Sequence, residues 1–313
     1  MNIDQSNINE LLNKYIGFTN RICEENQYPN NIKHVLYLII PAFVIKYGLK
    51  HESMILNCFE SIKIHIHEKE NTNCTAYFSR ILQKNPEGEK PKYYTVKAIV
   101  LNQYKNASLV DMLDNVTHEF NHAVNSMINE IKYDDKIVGV RTGLSYMIYD
   151  INDITRIKEK SKDITLEEII NTKQTEDIIE IIRSFSKYEV HNEEFNNTFY
   201  ALNHSINGEY TSNAYYLQSY ICKELMDNKT FIPTIENLRF KGNVDDIESW
   251  FDNITGNEGS YRELTLLLDT ILEDEEKLAK AKWFKNYKIN KIREKMRRVM
   301  NIIKDYENNC IFK

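Results

Sequence analysis

His118-Glu119-Phe120-Asn121-His122 sets two imidazoles four residues apart, with a carboxylate beside the first. On a helix, positions i and i+4 share one face. His118 and His122 can therefore hold one Zn²⁺, and Glu119 sits where it can take a proton from water at that metal. A catalytic zinc keeps three protein side chains, so a third ligand is required. A third histidine in the pattern H-E-x-x-H-x-x-G-x-x-H would need Gly at 125 and His at 128. The chain has Asn125 and Ile128, which excludes that arrangement. An upstream cysteine in an E-G-C-L-S segment is absent too, and Cys58 and Cys74 have other surroundings. What remains is a glutamate on a later helix. The segment Leu166-Glu167-Glu168-Ile169-Ile170-Asn171-Thr172 offers one.

The elements that must position these groups are legible from periodicity. Leu113, Val116, Phe120, Val124, Met127 and Ile131 recur on one helical face, and Ser108 to Asp111 forms a capping box that starts it. The two histidines lie on roughly the opposite face, flanked by Asn115, Asn121 and Asn125, and are expected to look into a polar space. Upstream, helices are expected over 8–26 and from Ile32 to Tyr47, the second bent or split near Pro41 and stopped by Gly48. Ile62, Ile64 and Ile66 alternate with Lys63, His65 and His67, the period of a strand. Thr75 to Leu82 and Tyr94 to Leu101 are two further strands, separated by the turn-forming Asn85-Pro86-Glu87-Gly88.

Downstream, Gly139 to Ile151 reads as an extended or hairpin segment punctuated by Arg141-Thr142-Gly143, and Asn152 to Asp163 as a polar loop. A helix over Ile164 to Ser184 opens with the capping box Thr165 to Glu168. Helices follow from about Ser212, over Pro233 to Trp250 and Gly259 to Leu272, with one charged helix from Glu273 to Asn309. The predicted class is α+β, with a small mixed sheet and the motif helix in residues 1–135. Residues 136–313 form a mainly helical half that supplies the third zinc ligand and ends in a basic helix.

Composition narrows the function classes. The chain has 313 residues, 42% hydrophobic and 27% charged, enough for a sizeable core. A net charge of -6 argues against a dedicated nucleic-acid binder. Five widely spaced cysteines without a C-x-x-C pair read as reduced, which points to the cytoplasm. Met1 to Leu12 shows no signal-peptide pattern. The most apolar run, Val35 to Ile45, is too short to span a bilayer and contains Pro41.

The motif segment His118-Glu-Phe-Asn-His122-Ala-Val-Asn125 resembles the H-E-x-x-H-A-V-T of the thermolysin-like gluzincins, whose third ligand is the Glu of an N-E-A-x-[ST]-[DE] segment on a later helix. The resemblance covers about residues 60–180. It implies a zincin-like fold and a zinc-dependent peptidase with His118, His122 and Glu168 as ligands and Glu119 as general base. Glu167 takes the place of the residue that hydrogen-bonds a ligating imidazole, here His122. Thr172 stands where the family usually has an acid supporting the first histidine. The family also supplies an oxyanion donor from its helical half. Tyr210, Tyr215, Tyr216 and His204 are available here, with Tyr215 preferred. The strand from Val96 to Asn102 occupies the place where such enzymes pair an extended substrate by its backbone. The implied partner is a peptide or protein.

Each feature has a plainer reading. Glu167 and Glu168 could do no more than cap a helix. His65 and His67 share a strand face and could bind metal, but a solvated face explains them better. The Lys- and Arg-rich tail could bind an anionic partner, but a solvated helix packed on the body accounts for it better. The alternative function is a non-catalytic or regulatory zincin-like protein that binds a peptide or protein partner.

Overall fold

The apolar run that starts at Val35 becomes the centre of the first unit. It lies in α2 (Asn30–Tyr47), which is buried without a break from Val35 to Val44. A helix that apolar on all sides must be surrounded by other elements. Helix α1 (Gln5–Asn26), α3 (Glu52–Ser61) and the motif helix α4 (Leu109–Asn125) all pack against it. Pro41 sits inside α2 without ending it, and Gly48, with φ +89, stops the helix as expected. Helix α3 has no counterpart in the sequence reading.

The computed structural model describes residues 5–67, 75–85, 93–102, 107–128, 131–133, 136–159, 163–185, 215–280 and 285–310. The chain divides into two compact units, Met1–Met127 with Gln174–Thr211, and Ile128–Lys173 with Ser212–Lys313. The class is α+β, with two small sheets and a helical C-terminal half. No single helix among the described residues is long and apolar enough to cross a membrane.

The first unit's sheet contains β1 (Lys63–His67), β2 (Ala76–Lys84) and β3 (Tyr93–Asn102) in the order β1-β3-β2. β1 runs parallel to β3 and β2 antiparallel to it. This order corrects one expectation. Ala98 to Leu101 of β3 pair with β1 on one side and β2 on the other, so this central stretch has no edge left for a substrate backbone. His65 and His67 are exposed on β1, as the solvated-face reading has it. Residues 86–88 of the expected turn lie outside the described residues.

The second unit opens with an antiparallel meander. It comprises β4 (Ile131–Tyr133), β5 (Ile137–Thr142), β6 (Ser145–Asp150) and β7 (Ile157–Glu159). The hairpin around Gly143 is as expected. The expected loop after it contains β7, and Ile131 lies in β4 instead of the motif helix, which ends at Asn125. Helix α5 (Ile164–Ser184) then leads to α6 (Tyr216–Ile221), α7 (Lys223–Asp227), α8 (Phe231–Phe240), α9 (Asp246–Thr255), α10 (Ser260–Ala279) and α11 (Lys285–Cys310). Their core centres on Phe231, Phe251, Tyr261 and Tyr306, with the rings of Phe251 and Tyr306 stacked at 5.1 Å.

The tail is therefore two helices. Lys288 contacts Lys277, Lys295 contacts Asp274, and Arg298 contacts Glu263, so α11 runs antiparallel to α10. Ile292, Val299, Ile303 and Tyr306 are its buried face. Trp283 and Phe284, expected on that face, lie outside the described residues.

Candidate metal centre

The motif helix starts where its sequence says it should. Ser108 Oγ accepts from the Asp111 N–H at 3.1 Å, and the Asp111 carboxylate accepts from the Ser108 N–H at 3.0 Å. This reciprocal box satisfies donors that a helix start leaves open. Leu113, Val116, Phe120 and Val124 are buried on the apolar face, and the Phe120 ring stacks on Phe59 at 4.1 Å.

The opposite face is largely buried. Glu119, Asn121, His122 and Asn125 are all buried, and His118 is half-buried. The burial is possible because the asparagines have partners. Asn121 Oδ1 accepts from Tyr47 Oη at 2.7 Å, and its Nδ2 donates to Thr175 Oγ1 at 3.0 Å. Asn125 Nδ2 donates to Gln174 Oε1 at 2.8 Å. An Asp177–Lys46 ion pair at 2.8 Å ties α5 to α2. These bonds lie within the first unit and fix the register of α4 against the later turns of α5.

One donor atom from each of His118, His122 and Glu168 lies within 4.8 Å of the others. The two imidazoles meet edge to face with centroids 5.0 Å apart. Two imidazole nitrogens and one carboxylate oxygen are a donor set used by catalytic zinc. A tetrahedral ion with bonds of about 2.0–2.2 Å needs its ligand atoms about 3.3–3.6 Å apart. Within that 4.8 Å limit, the donor set suits such an ion chemically.

Glu167 and Glu168 separate cleanly. Neighbouring residues on a helix project about 100° apart. Both residues belong to the second unit, and the Glu167 carboxylate finds its partners there. It accepts from the Leu144 N–H at 2.7 Å and pairs with the buried Arg239 guanidinium. This corrects the expectation that Glu167 serves His122. The expected capping box at Thr165 is absent as well: the Thr165 N–H donates to Asp269 Oδ1 at 3.0 Å, so Glu168 is not needed as its cap.

Thr172, in the family's supporting-acid position, is buried, and its hydroxyl has no hydrogen-bond partner among the described residues. One acid that interacts electrostatically with His118, Asp114, lies one turn earlier on α4. Burial pushes the Asp114 carboxyl up to about 6, while His118 pulls it down and Asp111, Glu119 and Glu176 push it further up. Sequence reasoning missed Asp114, although its i,i+4 spacing to His118 was a readable signal. Nothing in the sequence pointed to Arg239.

Tyr215 stands at the start of α6, half-buried, with φ +55. Tyr210, His204 and the side chain of Tyr216 lie outside the described residues. Compared with protein-family models, curated proteins and solved structures, the chain matches none.

Proposed function

We propose that this chain is a cytoplasmic zinc metallopeptidase of the gluzincin type with a zincin-like fold, acting on peptides or proteins. The observation that carries the reading is the convergence of His118, His122 and Glu168 donor atoms within 4.8 Å, with Glu119 adjacent in the chain to the first of them. His118, His122 and Glu168 would hold the ion. Bound zinc would supply Lewis acidity there, to polarise a carbonyl and lower the pKa of water.

The chain's own groups do the rest. Glu119 is a buried carboxylate that can accept a proton at one oxygen and return it to a leaving nitrogen. Asn121 and Asn125 hold α4, which carries both imidazoles, against the later turns of α5. Tyr215 is the proposed oxyanion donor. On the basic tail helix, Lys291 and Lys295 pair with Asp274 and Arg298 with Glu263, so these three cations are engaged within the chain.

Hydrolysis of a peptide library by the zinc-loaded protein tests the reading. Glu119→Gln should keep the metal and lose about 10²–10⁴-fold in rate. Hydrolysis that persists in Glu119→Gln would sink this mechanism.

A further inference from the structure

We propose that the buried Glu167–Arg239 pair is a positioning device for the third metal ligand, setting the rotation of the first turn of α5 and with it the direction of the Glu168 side chain. The inference rests on the metal site described above and deepens it.

Glu167 and Glu168 are consecutive, so fixing the direction of one fixes the other about 100° away. The Glu167 carboxylate is held at two points within the second unit: the Leu144 N–H of the β5–β6 turn, and the Arg239 guanidinium on α8. Both members of the pair are about 2% exposed. The turn is shaped to admit this carboxylate. Gly143 has φ +54, and a Cβ built there would overlap the Glu167 carboxyl carbon and both its oxygens. The Thr165 N–H bond to Asp269 on α10 holds the same turn from another side. A helix start gripped by a β-turn, α8 and α10 cannot roll about its axis.

A buried ion pair is weak evidence for net stability, because its desolvation offsets most of its attraction. Specifying geometry is a better-founded role for this one. Arg239 fits that description: its Nε and Nη1 have no hydrogen-bond partner among the described residues. Its interaction is concentrated on Glu167.

Co²⁺ alone is the probe, titrated into purified protein and read by its visible absorption. The variants are Glu168→Ala, the double variant Glu167→Leu with Arg239→Met, and Arg239→Lys. The double variant removes both charges together, so no buried charge is stranded. It should unfold cooperatively and bind Co²⁺ about 10–100-fold more weakly than wild type. Its spectrum should move towards that of Glu168→Ala. A pair that only stabilised the fold would lower the melting temperature and leave affinity and spectrum unchanged.

Wild-type Co²⁺ affinity and spectrum in the folded double variant would overturn the positioning role and leave the metal site standing. If the double variant does not fold, Arg239→Lys keeps the charge but loses the planar fork, and weaker Co²⁺ binding is expected. Wild-type binding by Arg239→Lys would then overturn the proposal. Wild-type protein that binds no Co²⁺ would overturn the site and the positioning role together.

Discussion

Gly143→Ala is the sharpest test of how the second unit is locked. Gly143 has φ +54, where an L residue costs about 1 kcal/mol more than glycine. The new methyl would also fall inside van der Waals contact of the Glu167 carboxylate. That carboxylate cannot simply swing away, because it is buried and holds Leu144 and Arg239. Displacing it strands the guanidinium without its counter-charge, an event worth about 3–5 kcal/mol. The expected loss is therefore about 4–6 kcal/mol, against a total stability of about 5–15 kcal/mol for a typical domain. Gly259→Ala is the control: its φ is +83, and a Cβ there meets nothing within 4 Å. It should show only the backbone cost. Urea unfolding followed by circular dichroism measures both. A Gly143→Ala loss no larger than that of Gly259→Ala would refute the reasoning.

Three further outcomes follow from the same contacts. Asn121→Ala removes the partner of Tyr47 and Thr175 in a fully buried place and should cost about 2–4 kcal/mol by denaturant unfolding; a loss under about 0.5 kcal/mol would contradict the network. Glu168→Ala should weaken metal binding in a protein of near-normal melting temperature, whereas Glu167→Ala should lower the melting temperature first; the reverse order would exchange their roles. Asp163, at the start of α5, has its carboxyl pushed up to about 6 by burial, with Asp269 and Glu248 acting the same way and Thr265 and Arg141 opposing. The folded state therefore binds more protons than the unfolded state between about pH 4 and 6, and stability falls as pH rises through that window. Asp163→Asn tolerates the positive φ and should be more stable than wild type above pH 7 by about 1–3 kcal/mol. That gap should close towards pH 4, and a pH-independent gap would contradict the assignment.

How much of this was legible in the sequence depended on the range of the interactions. The capping box at Ser108, the Gly48 stop and the hairpin at Gly143 are written in a few neighbouring residues, and each forms where expected. The pairing of His118 with His122 is likewise local. The direction of Glu167 was not local, because its partner Arg239 is 72 positions away and no period marks it. The Thr165 to Glu168 segment looked like a cap because its residue types are right. Tertiary bonding to Asp269 overrode that propensity. The place of β3 in its sheet also escaped, since alternation reveals a strand but not its neighbours. The buried polar face of α4 follows the same logic: the asparagines read as flanking a polar space, and their partners Tyr47, Gln174 and Thr175 are not marked in the sequence.

The central claim is that His118, His122 and Glu168 hold one catalytic metal. Zinc content of the purified protein after dialysis, measured by mass spectrometry on wild type and His122→Ala, tests it most directly. One zinc per chain in wild type and none in His122→Ala is the expected result. A full equivalent of zinc in His122→Ala, or none in wild type after zinc reconstitution, would contradict the site itself.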